Sequence, residues 1–170
     1  MCWRFFYEHS LMYIASSRKD RMSYNKQEII EILIEKSQNR INDINAAKET
    51  AQDAILNDTK SSMGDKYETS REMAQQELNR LQTQLQQAQA DLDKLKTLNV
   101  KPTSIVSVGS IVITNQFDYF IAISVGPVKI NDKSLMVISK ESPIGSLLIG
   151  NKIGEKVTFN GKDLMIKNIL

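Results

Sequence analysis

The stretch NKQEIIEILIEKSQNRINDINAAKETAQDAI, residues 25–55, decides the fold of the N-terminal part of this chain. Its apolar and small residues recur at alternating steps of four and three, which is the period of a coiled-coil seam. The seam positions are Ile30, Ile34, Ser37, Ile41, Ile44, Lys48, Ala51 and Ile55. Asn25 followed by Glu28 is a helix-start signature. The pattern therefore predicts a long helix that begins near residue 25.

A second seam with the same steps follows after a polar break. It consists of Ala74, Leu78, Leu81, Leu85, Ala88, Leu92 and Leu95. In an antiparallel hairpin, the residue numbers of facing positions add up to a constant, and Ile34 with Leu92 and Ile41 with Leu85 both give 126. This match predicts an antiparallel coiled coil within one chain, with arms of about 50 Å and a monomeric protein. The alternative, a parallel dimer of one broken helix, leaves Gly64 at the midpoint unexplained.

The turn between the seams reads SSMGDKYETSRE, residues 61–72, which places the hairpin tip near residues 61–68. Asp65 and Glu68 are three positions apart and share one face of a helix that starts there. Their simplest role is structural, because Ser62-x-x-Asp65 fits a capping box and acids complement the dipole of a helix start. Two carboxylates are only part of a Mg²⁺ site. A tip of this kind would complete a site whose other ligands belong to a partner.

After Pro102, which ends the second arm, the period changes from helical to alternating. Short segments rich in β-branched and aromatic residues predict strands, and they read SIVSVGSIVIT, DYFIAIS, SLMVIS, KVTF and DLMIKNIL. Turns are expected at residues 115–118 and at Asn160-Gly161. SPIGSLLIG, residues 142–150, predicts a short helix with Ser142 as its N-cap. The fold class is therefore α+β: a long antiparallel coiled-coil hairpin followed by a small, mainly antiparallel domain.

Composition and charge exclude several classes of function. The 170 residues carry a net charge of +2, with ten bases and thirteen acids in residues 22–100 and eight bases and five acids in residues 101–170. The small net charges of these two segments do not fit a protein that binds duplex nucleic acid by neutralising many phosphates. Cys2 and His9 are the only cysteine and histidine, which excludes a disulfide, a Cys/His zinc site and a histidine triad in the folded part. A reducing, cytoplasmic location fits this cysteine usage, and no apolar run is long enough for a membrane helix.

Residues 1–21 show no sustained period, and Glu8 and His9 interrupt any signal-peptide core. We expect a disordered extension or a stretch upstream of a natural start at Met22. The expected divisions are thus residues 1–21, the hairpin at 22–99 and the C-terminal domain at 100–170.

Two motifs in residues 22–170 resemble the bacterial GreA/GreB transcript cleavage factor family. The family's tip reads Gly-Asp-x-x-Glu-Asn, which Gly64, Asp65 and Glu68 match while Thr69 replaces the Asn. Its C-terminal signature is similar to ISKESPIGSLLIGNKIGEKVTF near the end of this chain. The matching residues there are Ser142, Pro143, Ile144, Leu148, Gly150, Gly154 and Val157.

The resemblance implies a factor without a cofactor of its own that acts on RNA polymerase. Its finger enters the polymerase secondary channel, where tip acids, here Asp65 and Glu68, help to hold the second catalytic Mg²⁺ and its water. The polymerase itself then hydrolyses backtracked RNA at the RNA 3′ end. The C-terminal domain, of FKBP-like fold in this family, grips the channel rim. The family signature assigns that contact to Ser142, Pro143, Ile144 and Gly145.

Three other interpretations remain open. TSREMAQQE, residues 69–77, lacks the Asn-Ala-Glu-Tyr run usual in the family, and relatives with altered tips occupy the channel without promoting cleavage. A coiled-coil adaptor would not depend on Asp65 or Glu68. A free-standing prolyl isomerase fits less well, because residues 100–170 hold no tryptophan and few aromatics to line a pocket.

Overall fold

The computed structural model describes residues 24–58, 64–131 and 133–170, and the side chains of residues 57–58 and 64–68 lie outside the description. In chain order, the elements are α1 (Lys26–Asp58), α2 (Gly64–Lys96), β1 (Ile111–Thr114), β2 (Asp118–Ala122), β3 (Gly126–Ile130), β4 (Lys133–Ser139), α3 (Pro143–Leu148), β5 (Lys156–Phe159) and β6 (Lys162–Ile169). The expectations for residues 1–21 and for the turn at residues 61–63 fall outside the described residues.

Side-chain caps explain where α1 begins and where α2 ends. The Asn25 carboxamide oxygen accepts hydrogen bonds from the backbone N–H groups of Gln27 and Glu28, at 3.2 and 3.5 Å. The predicted N-cap is therefore confirmed. α2 ends at Lys96, before the Asn99–Ser104 stretch expected to stop it. The Thr97 hydroxyl donates to the Asp93 carbonyl at 3.0 Å. This bond satisfies a carbonyl of the last helical turn, so α2 ends several residues before Pro102.

The two long helices pack against each other along the predicted seams. Every seam position of α1 and α2 is buried or half-buried. One apolar cluster joins the two arms and comprises Ile34, Ile41, Ile44, Ala51, Leu81, Leu85, Ala88 and Leu92. The one charged seam residue, Lys48, donates to Gln82 Oε1 across the hairpin at 2.6 Å. The antiparallel hairpin expected from the sequence is confirmed.

Because the seams cover each other within one chain, we expect the protein to be a monomer. Light scattering should give the mass of a single chain at micromolar concentration, since the apolar seams of α1 and α2 are covered within the chain. A stable dimer under those conditions would contradict this expectation.

The six strands form one mixed sheet in the order β3-β4-β2-β1-β6-β5. β2 and β4 are parallel, and the other neighbouring pairs are antiparallel. The mainly antiparallel character is confirmed. The Asn160-Gly161 turn is also confirmed, with φ angles of 49° and 73° between the paired residues Phe159 and Lys162.

Two strand expectations were wrong in detail. β3 was not predicted, because Gly126 and Pro127 read as breakers. β3 lies at the sheet edge and pairs only with β4, where a missing proline N–H costs little. The first half of SIVSVGSIVIT is not a strand, since Ile105 makes only an isolated bridge with Lys152 and β1 begins at Ile111.

The sheet has an apolar core on each face. One core contains Ile29, Leu33 and Leu95 from the base of the hairpin, together with sheet residues such as Phe120 and Leu135. The other lies under α3 and includes Ile144 and Leu148. The hairpin base is therefore part of the sheet core, and each buried side chain contributes about 1.5–3 kcal/mol there.

Candidate functional site

Asp65 and Glu68 lie at the end of the hairpin farthest from the sheet. Leu33 and Leu95 anchor the two arms at the sheet, α1 runs outward to Asp58, and α2 returns from Gly64. The 33 residues of α1 correspond to about 50 Å at 1.5 Å per residue. Asp65 is the second residue of α2, and the helical backbone at 64–70 places Glu68 on the same face. Their side chains and the expected Ser62 cap lie outside the described residues.

A metal site would need ligands from outside the chain. Among the side chains that the structure describes, no three His, Cys, Asp or Glu come together in a way that could hold an ion. Carboxylate oxygens are the donors that Mg²⁺ prefers, but that ion usually keeps waters and further ligands around one or two carboxylates. The donor chemistry of Asp65 and Glu68 thus fits a shared Mg²⁺ site. Their metal role remains a prediction.

The Ser142–Gly145 signature builds the start of α3. The Ser142 hydroxyl accepts from the Gly145 N–H at 3.1 Å and donates to the Ser139 carbonyl at 2.8 Å. A Cβ on Gly145 would lie 2.1 Å from that carbonyl oxygen, so the close approach requires glycine. Ile144 is buried in the core, and Pro143 is the one exposed residue of the four. Of the four residues, Pro143 is therefore the one best placed to contact a partner, and the polymerase contact of this signature stays a prediction.

An exposed apolar surface beside Pro143 was missed at the sequence level. Leu147, Ile149 and Ile153 are 44%, 36% and 53% exposed, on α3 and in the loop that follows it. Their spacing is that of an ordinary helix followed by a turn. The sequence pattern therefore does not distinguish these exposed side chains from buried ones. A partner that contacts Pro143 would find apolar side chains within one short helix of it.

Polar contacts tie the hairpin base to the sheet, and the sequence pattern did not predict them. The Tyr24 hydroxyl donates to Asp118 Oδ2 at 2.5 Å, and the Lys133 ammonium lies 6.0 Å from the Tyr24 ring centroid. Burial, and then the bond to the Asp118 carboxylate, raise the pKa of Tyr24 far above its ordinary value, so the phenol stays a donor. The Lys26 ammonium donates to the Val100 carbonyl at 3.2 Å and joins the two arms at their base. Partial burial lowers the pKa of Lys26.

The exit of α2 is held by a backbone approach at Gly109. Gly109 has a φ of +92°, and its N–H donates to the Ile121 carbonyl at 2.8 Å. A Cβ built there would lie 2.0 Å from the Asn99 carbonyl oxygen. The segment that leaves α2 therefore lies directly against the turn before β1.

A small cavity of about 300 Å³ lies on the α3 side of the sheet. Phe117, Tyr119 and Phe159 line it together with Met136 and Ile138. Three aromatic side chains thus meet in one place, which the sparse aromatic composition did not indicate. The volume is at the lower limit of small-molecule pockets and suits a single apolar side chain or ring of a partner.

Within the described part of the chain, no helix is both long enough and apolar enough to span a bilayer.

No family model and no curated protein matches the chain. Among solved structures, it is similar to GreA factor homolog 1 (Gfh1) of Thermus thermophilus, with 16% identity, a TM-score of 0.32 and coverage of 81% of this chain and 94% of that one. Another structure of the transcription factor Gfh1 has 17% identity, a TM-score of 0.31 and coverage of 80% and 92%. Gfh1 of Thermus aquaticus has 21% identity, a TM-score of 0.32 and coverage of 84% and 92%. At these identities and TM-scores, no role is carried over from those proteins.

Proposed function

We propose that this chain is a bacterial transcription elongation factor of the GreA/GreB type, which inserts its hairpin into the secondary channel of RNA polymerase. One observation carries the proposal. The Gly64-Asp65-x-x-Glu68 motif begins α2 at the far end of a hairpin of about 50 Å, while the sheet domain closes the near end. This arrangement separates a surface for attachment from a charged end that reaches into a partner.

The chemistry proposed for the far end is the loan of carboxylate ligands. Asp65 and Glu68 lie near the start of α2 and share one face of its backbone, where the positive end of the helix dipole favours negative charge. A Mg²⁺ ion held there together with the polymerase would stabilise the charge that develops during hydrolysis of backtracked RNA and lower the pKa of its bound water. The chain itself is then not an enzyme, and its partners are the polymerase and the RNA 3′ end.

Attachment is assigned to the sheet domain, around Pro143 and the exposed apolar side chains beside it. Residues 101–170 carry eight bases and five acids, which also favours a partner surface that is acidic. An isolated fragment of residues 101–170 would lack Ile29, Leu33 and Leu95, which complete one of its two cores. Attachment is therefore best tested in a chain that keeps the base of the hairpin.

A shortened hairpin should separate attachment from cleavage. Deleting residues 45–51 and 75–81 removes one heptad from each arm, preserves the facing register and shortens the finger by about 10 Å. We expect this variant to compete with the full chain for polymerase while it stimulates cleavage of stalled complexes at least about tenfold less. Circular dichroism should show an intact hairpin. Normal cleavage by the shortened chain, or loss of competition, would contradict the proposed insertion.

The second candidate function is a regulator that occupies the polymerase channel without promoting RNA cleavage. Both candidates would act in the bacterial cytoplasm. The sequence observation that favours it is Thr69 in place of the family Asn, followed by a run unlike the family's. This candidate predicts that the wild-type chain slows nucleotide addition and leaves backtracked RNA uncut. A coiled-coil adaptor unrelated to transcription predicts no binding to polymerase at all.

A further inference from the structure

The direction of the hairpin relative to the sheet depends on contacts at its base. Ile29 and Leu33 contribute apolar packing, which is strong but does not depend on orientation. The hydrophobic effect by itself sets no preferred angle between a helix and a sheet. Contacts with a preferred geometry therefore decide the direction in which the hairpin points.

Tyr24 supplies a directional contact between the start of the hairpin and the sheet. It lies two residues before α1 and donates to Asp118, the first residue of β2, at 2.5 Å. Lys133, the first residue of β4, places its ammonium 6.0 Å from the same ring. β2 and β4 are adjacent parallel strands, so one tyrosine is held at the starts of both. A hydrogen bond to an ionised carboxylate is about twice as strong as a neutral one, and here it is partly buried.

The length of α1 amplifies any movement at this contact. If the hairpin pivots where Leu33 is buried in the sheet core, Tyr24 lies about 13 Å to one side of the pivot and Asp58 about 38 Å to the other. A displacement of about 1 Å at Tyr24 then becomes about 3 Å at the far end. Reacting groups must be held to within about 0.5 Å, so such a displacement is large for a shared ligand site.

We propose that Tyr24, Asp118 and Lys133 are positioning residues that fix the direction of the hairpin on the sheet and so the place of Asp65 and Glu68 in the partner. The consequence for cleavage rests on the proposed function, whereas the direction itself is a property of the free protein. The two can therefore be tested separately.

The first measurement is made on the free, full-length chain. With Cys2→Ser, spin labels on exposed positions 53 and 156, introduced as Asp53→Cys and Lys156→Cys, report the distance between the hairpin and the sheet domain. Tyr24→Phe and Asp118→Asn should shift the mean distance, or broaden its distribution, by about 2 Å or more. Tyr119→Phe is the matched control, because it removes a tyrosine hydroxyl on the other face of the sheet. A Tyr24→Phe distribution identical to that of Tyr119→Phe would overturn the proposal.

The second measurement uses stalled elongation complexes. Tyr24→Phe should lower the maximal cleavage rate about tenfold and leave the concentration for half-maximal effect within about twofold, because attachment is untouched. A shifted distance with a wild-type cleavage rate would overturn the positioning role. If the wild-type chain stimulates no cleavage, the proposed role in RNA cleavage is wrong. The spin-label distances alone then decide whether Tyr24 fixes the direction of the hairpin on the sheet.

Discussion

Asp65→Asn is expected to lower stimulated RNA cleavage about a hundredfold or more and to leave polymerase binding unchanged. Asp65 lies in the first turn of α2, where an acid contributes about 0.3–1 kcal/mol through the helix dipole, so the fold should lose at most about 1 kcal/mol and the melting temperature at most about 4 °C. The negative charge is lost, however, and with it a ligand for Mg²⁺. Glu68→Gln should act in the same way, and raising the Mg²⁺ concentration should restore part of the activity. Cleavage of stalled elongation complexes measures the effect.

Glu72→Gln is the matched control for both substitutions. Glu72 is an exposed acid one helical turn beyond Glu68 and lies outside the tip motif. Its replacement should leave cleavage within about twofold of wild type, since it removes a charge without removing a proposed ligand. Near-normal cleavage by Asp65→Asn and Glu68→Gln would reject the catalytic role. The regulator that only occupies the channel would then be the better account.

Gly109→Ala should be the most destabilising single-methyl change in the sheet domain. A φ of +92° is strained for alanine, and the new Cβ would lie 2.0 Å from the Asn99 carbonyl oxygen. That neighbour is backbone, so the exit of α2 must move to relieve the clash. Backbone strain and overpacking each cost about 1–3 kcal/mol, so we expect a loss of about 3–5 kcal/mol in the free energy of unfolding.

Gly126→Ala separates the two contributions to this loss. Gly126 has a φ of +88°, close to that of Gly109, yet nothing lies within 4 Å of a Cβ built there. Its replacement should cost only the backbone strain, about 1–2 kcal/mol. Urea unfolding of the two variants gives the difference. Equal losses would show that the approach of Asn99 to Gly109 does not matter for stability.

Local signals in the sequence determined most of the secondary structure. The α1 and α2 seams, the Asn25 cap and the Asn160-Gly161 turn were all predicted correctly, because each depends on residues a few positions apart. Facing seams also predicted one long-range feature, the antiparallel pairing of the arms. This pairing could be predicted from the sequence because a coiled coil repeats the same pairing rule at every turn. The tip motif of Asp65 and Glu68 came from the sequence as well, and the start of α2 at Gly64 agrees with its expected position on a helix.

Tertiary structure alone decided the features that depend on which distant residues meet. Ile29 and Leu33 lie beside the seam of α1, and their burial follows from the sheet that covers them. The edge position of β3 made Pro127 acceptable in a strand, and no local pattern reveals which strand will be an edge. Tyr24 and Asp118 are separated by 94 positions, and a single polar pair has no sequence period from which it could be predicted. Periodicity records what each element buries, whereas the direction of the hairpin depends on single contacts between elements that only the assembled sheet brings together.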